Sequence, residues 1–370
     1  MKENGKVLSF PELVTYSFEY QKEHFWRCRY TSSESTSLYY KILIPLGVKP
    51  VGVKPELIAG TNNLYAIGCY QTVTGTKYPF IEIDVAYEQV NNDIDASEWG
   101  EYILSLLDEE ILHRKNYYSA SGRYADFLSK SCIDGKTVIS RVRVFKNYDF
   151  EHKGANMIIV KASSSEEDYE LLAEDLYHCV KFFTLINDSK WHLAEELKSI
   201  NLDLPASYSF YYPASWLYSE RYNNEKMSYY SLSLRGETRV HGVIDGYFLH
   251  YDATINKDQI CDLIISNIEA VSYNYIKETF SKQVGEIFNK NITELWKGEF
   301  NVKNSEGRGG LLIIFVGKVQ RCWFFIIGSL TSREQSFASW AAGKRAIDII
   351  LNSLNNYDLE YEDQFYHDKR

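Results

Sequence analysis

The sequence predicts an α/β fold of the α+β kind: two tandem repeats of an antiparallel sheet flanked by helices, each an α/β/α sandwich. Two stretches, 155–183 and 321–350, carry this prediction, because each is an apolar strand, a short polar turn with a serine, and a long helix. Ser165 and Ser332 hold the same place in the two stretches, and the alignment needs no gap from there to the helix ends. At 370 residues the chain is long enough for two domains with a core each.

Shorter segments lie outside the two repeats. Apolar and polar residues alternate at 14–20 and again at 24–30, which predicts two strands joined by a turn. Between the repeats, 187–203 carries Trp191, Leu193 and Leu197 and is predicted to hold a short bridging helix. The predicted plan is a prelude at 1–36, a first repeat at 37–187, a linker at 188–205, a second repeat at 206–356 and a polar tail at 357–370.

Matching strands are predicted in the two repeats from period-two alternation and from prolines, which cannot donate to a ladder. In the first repeat they are 39–45, 64–71, 80–87, 136–145 and 156–162. In the second repeat they are 208–213, 228–234, 243–251, 294–302, 310–319 and 321–328.

Helix start signals also repeat. Asp95 with Glu98, and Asn256 with Gln259, have the spacing of a capping box, in which each side chain satisfies the other residue's free backbone N–H. The helices that follow are predicted to bury Trp99, Ile103 and Leu106 in the first repeat and Ile260, Leu263, Ile264 and Ile268 in the second.

The long terminal helices are predicted to begin with capping boxes at Ser165–Asp168 and Ser332–Gln335. On the first helix, the apolar stripe is Tyr169, Leu172, Leu176, Cys179, Val180 and Phe183. The corresponding stripe of the second helix has smaller residues, so this helix is expected either to lie closer to its sheet or to present Phe337 and Trp340 instead.

Composition excludes several classes of partner. A net charge of −10 with no clustered basic stretch argues against nucleic acid. No window reaches the roughly 18 apolar residues of a membrane span, so we expect no stable membrane insertion and a cytoplasmic protein. Six cysteines lack metal-like spacing, so no metal site is predicted, and Cys179 and Cys322 are expected to be buried thiols.

The sequence contains no catalytic or nucleotide-binding motif, and neither catalytic residues nor a cofactor are predicted. The run Gly307–Gly310 precedes a strand and is predicted to be a hairpin turn. Two acid–base pairs stay open, His241 with Asp245 and His250 with Asp252, although a separation of four along a strand places side chains about 13 Å apart. His178 is expected to face solvent.

Candidate partner-binding residues come from two kinds of strand. The strands 310–317 and 323–327 are apolar on both faces, which predicts either helices on both sides or an apolar partner segment on one, with Phe315, Trp323, Phe325 and the nearby Tyr247 as contacts. The strand 137–145 places four side chains on one face: Ile139, Arg141, Arg143 and Phe145. Two arginines between apolar ends suit a wet, partly exposed face that grips a polypeptide, or a plain solvated face.

The motifs DASEW, ISRVRVF, NMIIVKAS and EEDYELLAED, taken in this order, resemble the DcrB/PsbP-like family. The resemblance covers 38–186, and 206–354 mainly through the repeat. It implies an α/β/α fold and no catalytic residue. Within the family, the chain looks most similar to Eag-type chaperones of type VI secretion, which hold hydrophobic segments of effectors and work as dimers.

This resemblance implies a non-enzymatic cytosolic chaperone or adaptor with a protein partner, as a monomer with pseudo-dimeric repeats or as a homodimer. Two alternatives stay open at this point. One is an immunity protein that neutralises a toxin through an acidic, tyrosine-rich surface, and the other is an enzyme with a pocket between the repeats.

Overall fold

The computed structural model describes two compact units, Met1–Asn91 with Asp95–Ala194, and Asn92–Ile94 with Glu195–Arg370. Both are built on antiparallel sheets with helices, so the predicted fold class is confirmed. The structure describes residues 8–52, 56–75, 78–117, 124–189, 191–202, 208–223, 227–237, 239–249, 256, 258–259, 274–277, 281–282, 289–303, 309–319 and 322–354.

The first unit has three described helices, α1 Phe18–His24, α2 Ala96–Leu106 and α3 Tyr169–Lys181. Its strands are β1 Phe25–Tyr30, β2 Tyr40–Pro45, β3 Val48–Val51, β4 Glu56–Leu57, β5 Tyr65–Thr72, β6 Ile81–Val90, β7 Glu110–Tyr117, β8 Tyr124–Ile133, β9 Lys136–Asp149, β10 Gly154–Ser165 and β11 Thr184–Leu185. The main sheet has the order β3-β5-β6-β10-β9-β8-β7, with β4 on β5, and a small sheet has the order β1-β2-β11.

The second unit has the described helix α4 Phe337–Ser353. Its strands are β12 Leu197–Leu202, β13 Tyr208–Pro213, β14 Trp216–Asn223, β15 Met227–Arg235, β16 Val240–Leu249, β17 Asn274–Lys277, β18 Ser281–Lys282, β19 Ile292–Lys303, β20 Gly309–Val319 and β21 Cys322–Thr331. The main sheet has the order β14-β15-β16-β21-β20-β19-β17, with β18 on β19, and β12 pairs with β13. A long helix therefore follows the central strand, β10 or β21, in each unit.

In the first unit, α3 packs on one face of the main sheet and α2 on the other. The predicted stripe of α3, from Tyr169 to Phe183, is buried throughout. On α2, the indole N–H of Trp99 donates to Glu88 Oε2 at 2.6 Å. The unit is thus a helix–sheet–helix sandwich, with an apolar cluster beneath α3.

In the second unit, α4 packs against β13, β16 and β21. A Cβ on Gly343 would lie 2.4 Å from Leu330 Cδ2, so the helix backbone approaches the sheet closely. Phe337 and Trp340 are buried as well. The helix therefore does both things that the sequence offered as alternatives: it lies close to its sheet, and it buries Phe337 and Trp340.

Most start signals are confirmed. Asp95 accepts the N–H groups of Ser97 and Glu98 at 2.8 and 3.3 Å. Asn256 and Gln259 bond reciprocally at 3.1 and 3.0 Å, while the predicted apolar residues of that helix, Ile260 to Ile268, lie outside the described residues.

The two terminal helices differ in their starts. Before α3, the N–H of Asp168 donates to Ser165 Oγ at 3.2 Å, as predicted, but the Asp168 carboxylate accepts from the Ser165 hydroxyl at 2.7 Å and not from a backbone N–H. Asp168, not Ser165, is the N-cap of α3. The box at Ser332–Gln335 is wrong, because Ser336 caps α4 by accepting the N–H of Ser339 at 3.5 Å.

Other predictions need correction. The strand predicted at 14–20 is wrong, because Ser17 accepts the N–H of Tyr20 and starts α1, whereas the strand predicted next is β1. The bridging helix is also wrong, because Leu197–Leu202 is β12. Strands β7 and β8 were not predicted, although Asp134-Gly135, both at positive φ, form the two-residue turn that joins β8 to β9.

The predicted hairpin and the predicted polar tail both include residues outside the part of the chain that the structure describes. Lys303 pairs with Gly309, as the hairpin predicted around Gly307–Gly310 requires. The predicted polar tail at 357–370 lies outside the described residues.

Among the residues that the structure describes, no helix has the length and apolarity needed to cross a membrane.

Candidate functional site

The four predicted binding residues of β9 lie beneath α3 and the segment before α1. Ile139 and Arg141 are fully buried, Arg143 is 9% exposed, and Phe145 is half-buried against Phe183. The expectation of a wet, partly exposed face is therefore wrong, because the chain's own elements cover it. Their role in partner binding stays a prediction.

Register explains how two arginines are accommodated there. Asp126 of β8 lies opposite Arg143 of β9. Its Oδ1 accepts Arg143 Nε at 2.7 Å, and its Oδ2 accepts Arg143 Nη2 at 2.8 Å and Arg141 Nη2 at 2.7 Å. Burial by itself raises the pKa of Asp126, but the hydrogen bonds and charges of the two arginines hold the pKa below its ordinary value.

Residues 8–17, here called the N-terminal strap, cover this charged cluster. Phe10 lies over the guanidinium of Arg141, with 3.6 Å from Cζ to the ring centroid, and stacks on His113 of β7 at 4.2 Å. Tyr177 of α3 also faces the same guanidinium, at 4.9 Å. The arginine is thus enclosed by aromatic rings, which favour a cation by their quadrupole.

The strap runs along α3 and is held by polar contacts at both ends. The hydroxyl groups of Tyr169 and Tyr177 donate to the backbone carbonyls of Ser9 and Glu12, at 2.6 and 2.7 Å. Acidic residues of α3 accept from the strap in turn: Glu170 from the N–H and hydroxyl of Ser9, Glu174 from Thr15, and Asp175 from Tyr16. Glu12 pairs with Lys115 of β7.

We call the surface beneath the strap the α3 groove, formed by Tyr169, Glu170, Glu174, Asp175 and Tyr177 of α3 with His113, Lys115 and Arg141 of the sheet. Burial raises the pKa of Tyr169 to about 12, so its hydroxyl stays a donor at neutral pH. Burial also raises the pKa of Asp175, which accepts from Tyr16 at 2.9 Å.

His178 sits at the other end of the groove and corrects a prediction. It is fully buried, not solvent-facing, and its ring lies 4.6 Å from that of Tyr16. Its Nδ1 contacts the carbonyl of Glu174 at 3.0 Å, and burial lowers the pKa of the imidazole. Neutral histidine at this place is consistent with an aromatic cover.

The strap has no regular secondary structure before α1 and bends at Leu13 and at Tyr16. Leu13 and Val14 are 78% and 39% exposed, so two of its apolar side chains contribute little to a core. Its contacts are concentrated at Ser9–Phe10, Glu12 and Thr15–Tyr16. The strap is thus retained by polar bonds and by the side chains of Leu8, Phe10 and Tyr16.

The other predicted binding residues belong to the second unit and divide between two sheet faces. Tyr247, Trp323 and Phe325 share the face away from α4, where Tyr229, Tyr247 and Phe325 stack in register at 4.5 and 4.4 Å. Phe315 lies on the opposite face, beside Ile326 in the register. Trp323, Phe325 and Phe315 are 7%, 6% and 5% exposed.

The second unit also contains a cavity of about 380 Å³ at the end of β16, β20 and β21, next to His241. His241 Nδ1 lies 3.1 Å from Ser339 Oγ, while Asp245 accepts from the hydroxyl of Tyr229 at 3.0 Å. The structure therefore does not bring His241 and Asp245 together as an acid–base pair. His250 and Asp252 lie outside the described residues.

Two groups of potential metal ligands occur in the described chain, Cys69 with Glu82 and Asp84, and Asp149 with Glu151 and His152. In the first, burial raises the pKa of the Cys69 thiol to about 12, which disfavours the thiolate that metals bind. In the second, Asp149 already accepts from His152 and from the N–H of Glu151, both at 3.0 Å.

No family model matches the chain, and no curated protein matches it. Among solved structures, it is similar to LpqN of Mycobacterium tuberculosis, involved in cell envelope biogenesis, with TM-score 0.31, 9% identity, and coverage of 46% of this chain and 96% of that one. It is also similar to the cyanobacterial PsbP of Synechocystis sp. PCC 6803, with TM-score 0.30, 10% identity, and coverage of 43% and 91%.

A third similar structure spans more of the chain. It is the type VI secretion immunity protein TplEi of Pseudomonas aeruginosa, with TM-score 0.22, 10% identity, and coverage of 85% of this chain and 93% of that one. These low TM-scores and identities transfer no function to this chain.

Proposed function

We propose that the chain is a non-enzymatic protein-binding module that holds a polypeptide segment in the α3 groove of the first unit. One observation carries this proposal: the chain's own strap already lies there. Tyr169 and Tyr177 donate to backbone carbonyls of the strap, a contact that any sequence can offer. The groove therefore has the chemistry of a surface for polypeptide.

The specific role we propose is that of a cytosolic chaperone or adaptor for a secreted type VI effector. A chaperone has to release its cargo, and after release its binding surface must be covered again. The strap supplies such a cover, since it is tethered to α1 and returns by an intramolecular step. The partner segment would occupy the groove while the effector is held, and the strap would reoccupy it afterwards.

An immunity protein is a second candidate, favoured by charge. Glu170, Glu174 and Asp175 line the α3 side of the groove, and the chain has a net charge of −10. An acidic surface accelerates association with a cationic toxin and makes that association salt-dependent.

Binding to an effector encoded by a neighbouring gene tests the proposal. If the strap competes with the effector, Phe10→Ala is expected to tighten binding by about tenfold, because it removes the ring that anchors the strap. Phe18→Ala is the matched control, since Phe18 is 64% exposed on α1 and outside the groove. Equal affinity of the wild-type and F10A chains would contradict the proposed site.

Growth assays separate the two specific roles. A chaperone is expected to raise the soluble yield and secretion of the effector without protecting cells that receive it. An immunity protein is expected to protect intoxicated cells and to leave secretion unchanged.

A further inference from the structure

The turn between β9 and β10 brings three potential metal ligands together. Asp149 ends β9, and Glu151 and His152 follow in the turn that leads to β10. One donor atom from each side chain, a carboxylate oxygen or an imidazole nitrogen, lies within 4.8 Å of the other two. Imidazole and carboxylate groups together are a donor set that zinc and related divalent transition metals accept.

The first of these ligands, Asp149, is a buried acid that needs a counter-charge. Its side chain is 2% exposed, and its oxygens accept the N–H of Glu151 at 3.0 Å and Nδ2 of Asn156 at 3.3 Å. Among the described residues, neither a lysine nor an arginine pairs with it, and His152 Nδ1 lies 3.0 Å from its Oδ2. Buried carboxylates are usually paired with a cation or bound to a metal. The counter-charge here is therefore either a proton on the imidazole or a metal ion.

The distances suit a metal ion between Asp149 and His152. Zinc–oxygen and zinc–nitrogen bonds are about 2.0–2.1 Å long, so two neighbouring ligands of one ion lie about 2.9–3.4 Å apart. The 3.0 Å between Oδ2 and Nδ1 falls in this range. Glu151 is exposed, and Thr36 donates to its Oε1 at 2.7 Å. A rotation of the exposed Glu151 side chain brings its carboxylate to the same ion.

Buried hydrogen bonds hold the Asp149 carboxylate in place. Asn156, which donates to it, is 1% exposed and also donates to Ser37 Oγ at 2.8 Å. The hydroxyl oxygen of Ser37 lies 2.7 Å from that of Ser35. Partners of this kind fix the orientation of a ligating carboxylate. Asp149 is thus positioned by the fold, while Glu151 and His152 are free to close on an ion from the exposed side of the turn.

We propose that Asp149, Glu151 and His152 bind a divalent transition-metal ion, Zn²⁺ being the ion that the donor set fits, with water completing the coordination. The ion takes the place of the proton between Asp149 and His152 and ties the turn between β9 and β10 together. Mg²⁺ is expected to bind more weakly, because it prefers oxygen ligands to imidazole. This site shares no residue with the α3 groove and goes beyond the proposed function.

Isothermal titration calorimetry of the untagged full chain with ZnCl₂ tests the site. Glu151→Gln and His152→Asn are each expected to weaken Zn²⁺ binding at least about tenfold, because each removes a ligand. Both residues are exposed, so the two variants are expected to fold. His24→Asn, which changes another exposed histidine, is the matched control and is expected to bind Zn²⁺ like the wild-type chain. A wild-type chain that binds no Zn²⁺, or equal affinity of the wild-type, E151Q and H152N chains, would overturn the proposal.

Thermal unfolding provides a second readout at the same site. An ion that binds the folded chain raises its Tm, so Zn²⁺ at tenfold excess over its Kd is expected to raise the Tm of the wild-type chain by a few degrees. The Tm of the H152N chain is expected to stay unchanged at the same Zn²⁺ concentration. An equal rise in the two chains would place the ion elsewhere and overturn the proposal.

Discussion

The two units share a strand order but differ in what lies beneath their long helices. In the first unit, β9 places Arg141 and Arg143 under α3. At the same places of β20, beneath α4, the second unit has Leu311 and Ile313. Arg141 and Leu311 correspond because of the strand register. Arg141 pairs with Ala162 of β10, and Leu311 pairs with Leu330 of β21. Ala162 and Leu330 lie the same number of residues before α3 and α4.

The acids beside these positions differ too. Asp126 is fully buried and serves two arginines. Glu299, which faces Ile313 on the neighbouring strand, is 37% exposed and pairs with Lys297 at 2.6 Å. The face covered by the long helix is thus apolar at these positions of the second unit and charged at those of the first. In the first unit the strap adds a further cover over the charged positions.

Removing Asp126, the acid shared by the two arginines, is expected to change the free energy of unfolding more than any other substitution that we compare between the units. Asp126→Asn leaves two buried guanidinium groups without a counter-charge, so we expect a loss of about 3–5 kcal/mol in unfolding free energy. Glu299→Gln, the matched change in the second unit, is expected to cost under about 1 kcal/mol because that pair is solvent-screened. Urea denaturation measures both, and similar losses would contradict the comparison.

The next largest loss of stability is expected from overpacking the aromatic core of the second unit. A Cβ on Gly246 of β16 would lie 2.1 Å from Cζ of Tyr230, a fully buried ring. Gly246→Ala is therefore expected to cost up to about 3 kcal/mol through overpacking. Gly52→Ala, where a Cβ would meet nothing within 4 Å, is the control and is expected to be near neutral. A stable G246A chain would mean that Tyr230 can move.

Replacing a buried acid, Asp84 on the α2 face of the first unit, is expected to stabilise the chain. Burial raises the pKa of Asp84 from 3.8 to about 6, against the opposing charge of Lys161. The folded chain then holds this proton more tightly than the unfolded chain, so stability falls as pH rises from about 4 to about 6. Asp84→Asn is expected to add about 2 kcal/mol at pH 7 and to remove that part of the decline.

Thermal unfolding of the wild-type and D84N chains between pH 4 and pH 7 measures the difference. The two chains are expected to converge near pH 4, where Asp84 is protonated in the folded state. A constant difference across this range would show that the charge of Asp84 is not its cause.

Loosening the strap is expected to have the smallest effect on global stability. Phe10→Ala removes one half-buried ring and is predicted to cost about 1 kcal/mol, chiefly the contact with Arg141. Phe25→Ala, in the same N-terminal region but 5% exposed, is expected to cost about 3–5 kcal/mol as a core truncation. Urea midpoints compare the two, and equal costs would show that the strap is part of the core.

Much of the scaffold could be predicted because its signals are local. The cap at Asp95, the stripe from Tyr169 to Phe183 and the strand that became β13 depend on spacing and periodicity within one element. Strand β8, in which Asp126 lies between the apolar Ala125 and Phe127, was not predicted. The sequence Asp134-Gly135 is typical of a two-residue hairpin turn and indicates a strand before it.

The candidate site was harder to predict because its contacts are distant in sequence. Arg141 and Arg143 were singled out on one face of β9, yet their burial depends on Phe10, Asp126 and Tyr177, which no local pattern joins to them. The alternation at 14–20 favoured a strand, whereas contacts with α3 hold the strap outside any sheet and α1 begins at Phe18. Tertiary contacts of this kind leave little periodic signal.

The position of Phe10 tests the account most directly. With 4-fluorophenylalanine at position 10 of the full chain, ¹⁹F NMR reports whether the ring lies over Arg141 or in solvent. At saturating effector, we expect the resonance to move to that of a free 8–17 peptide labelled in the same way, because the strap has left the α3 groove. A resonance that stays unchanged while the effector is bound would contradict the account.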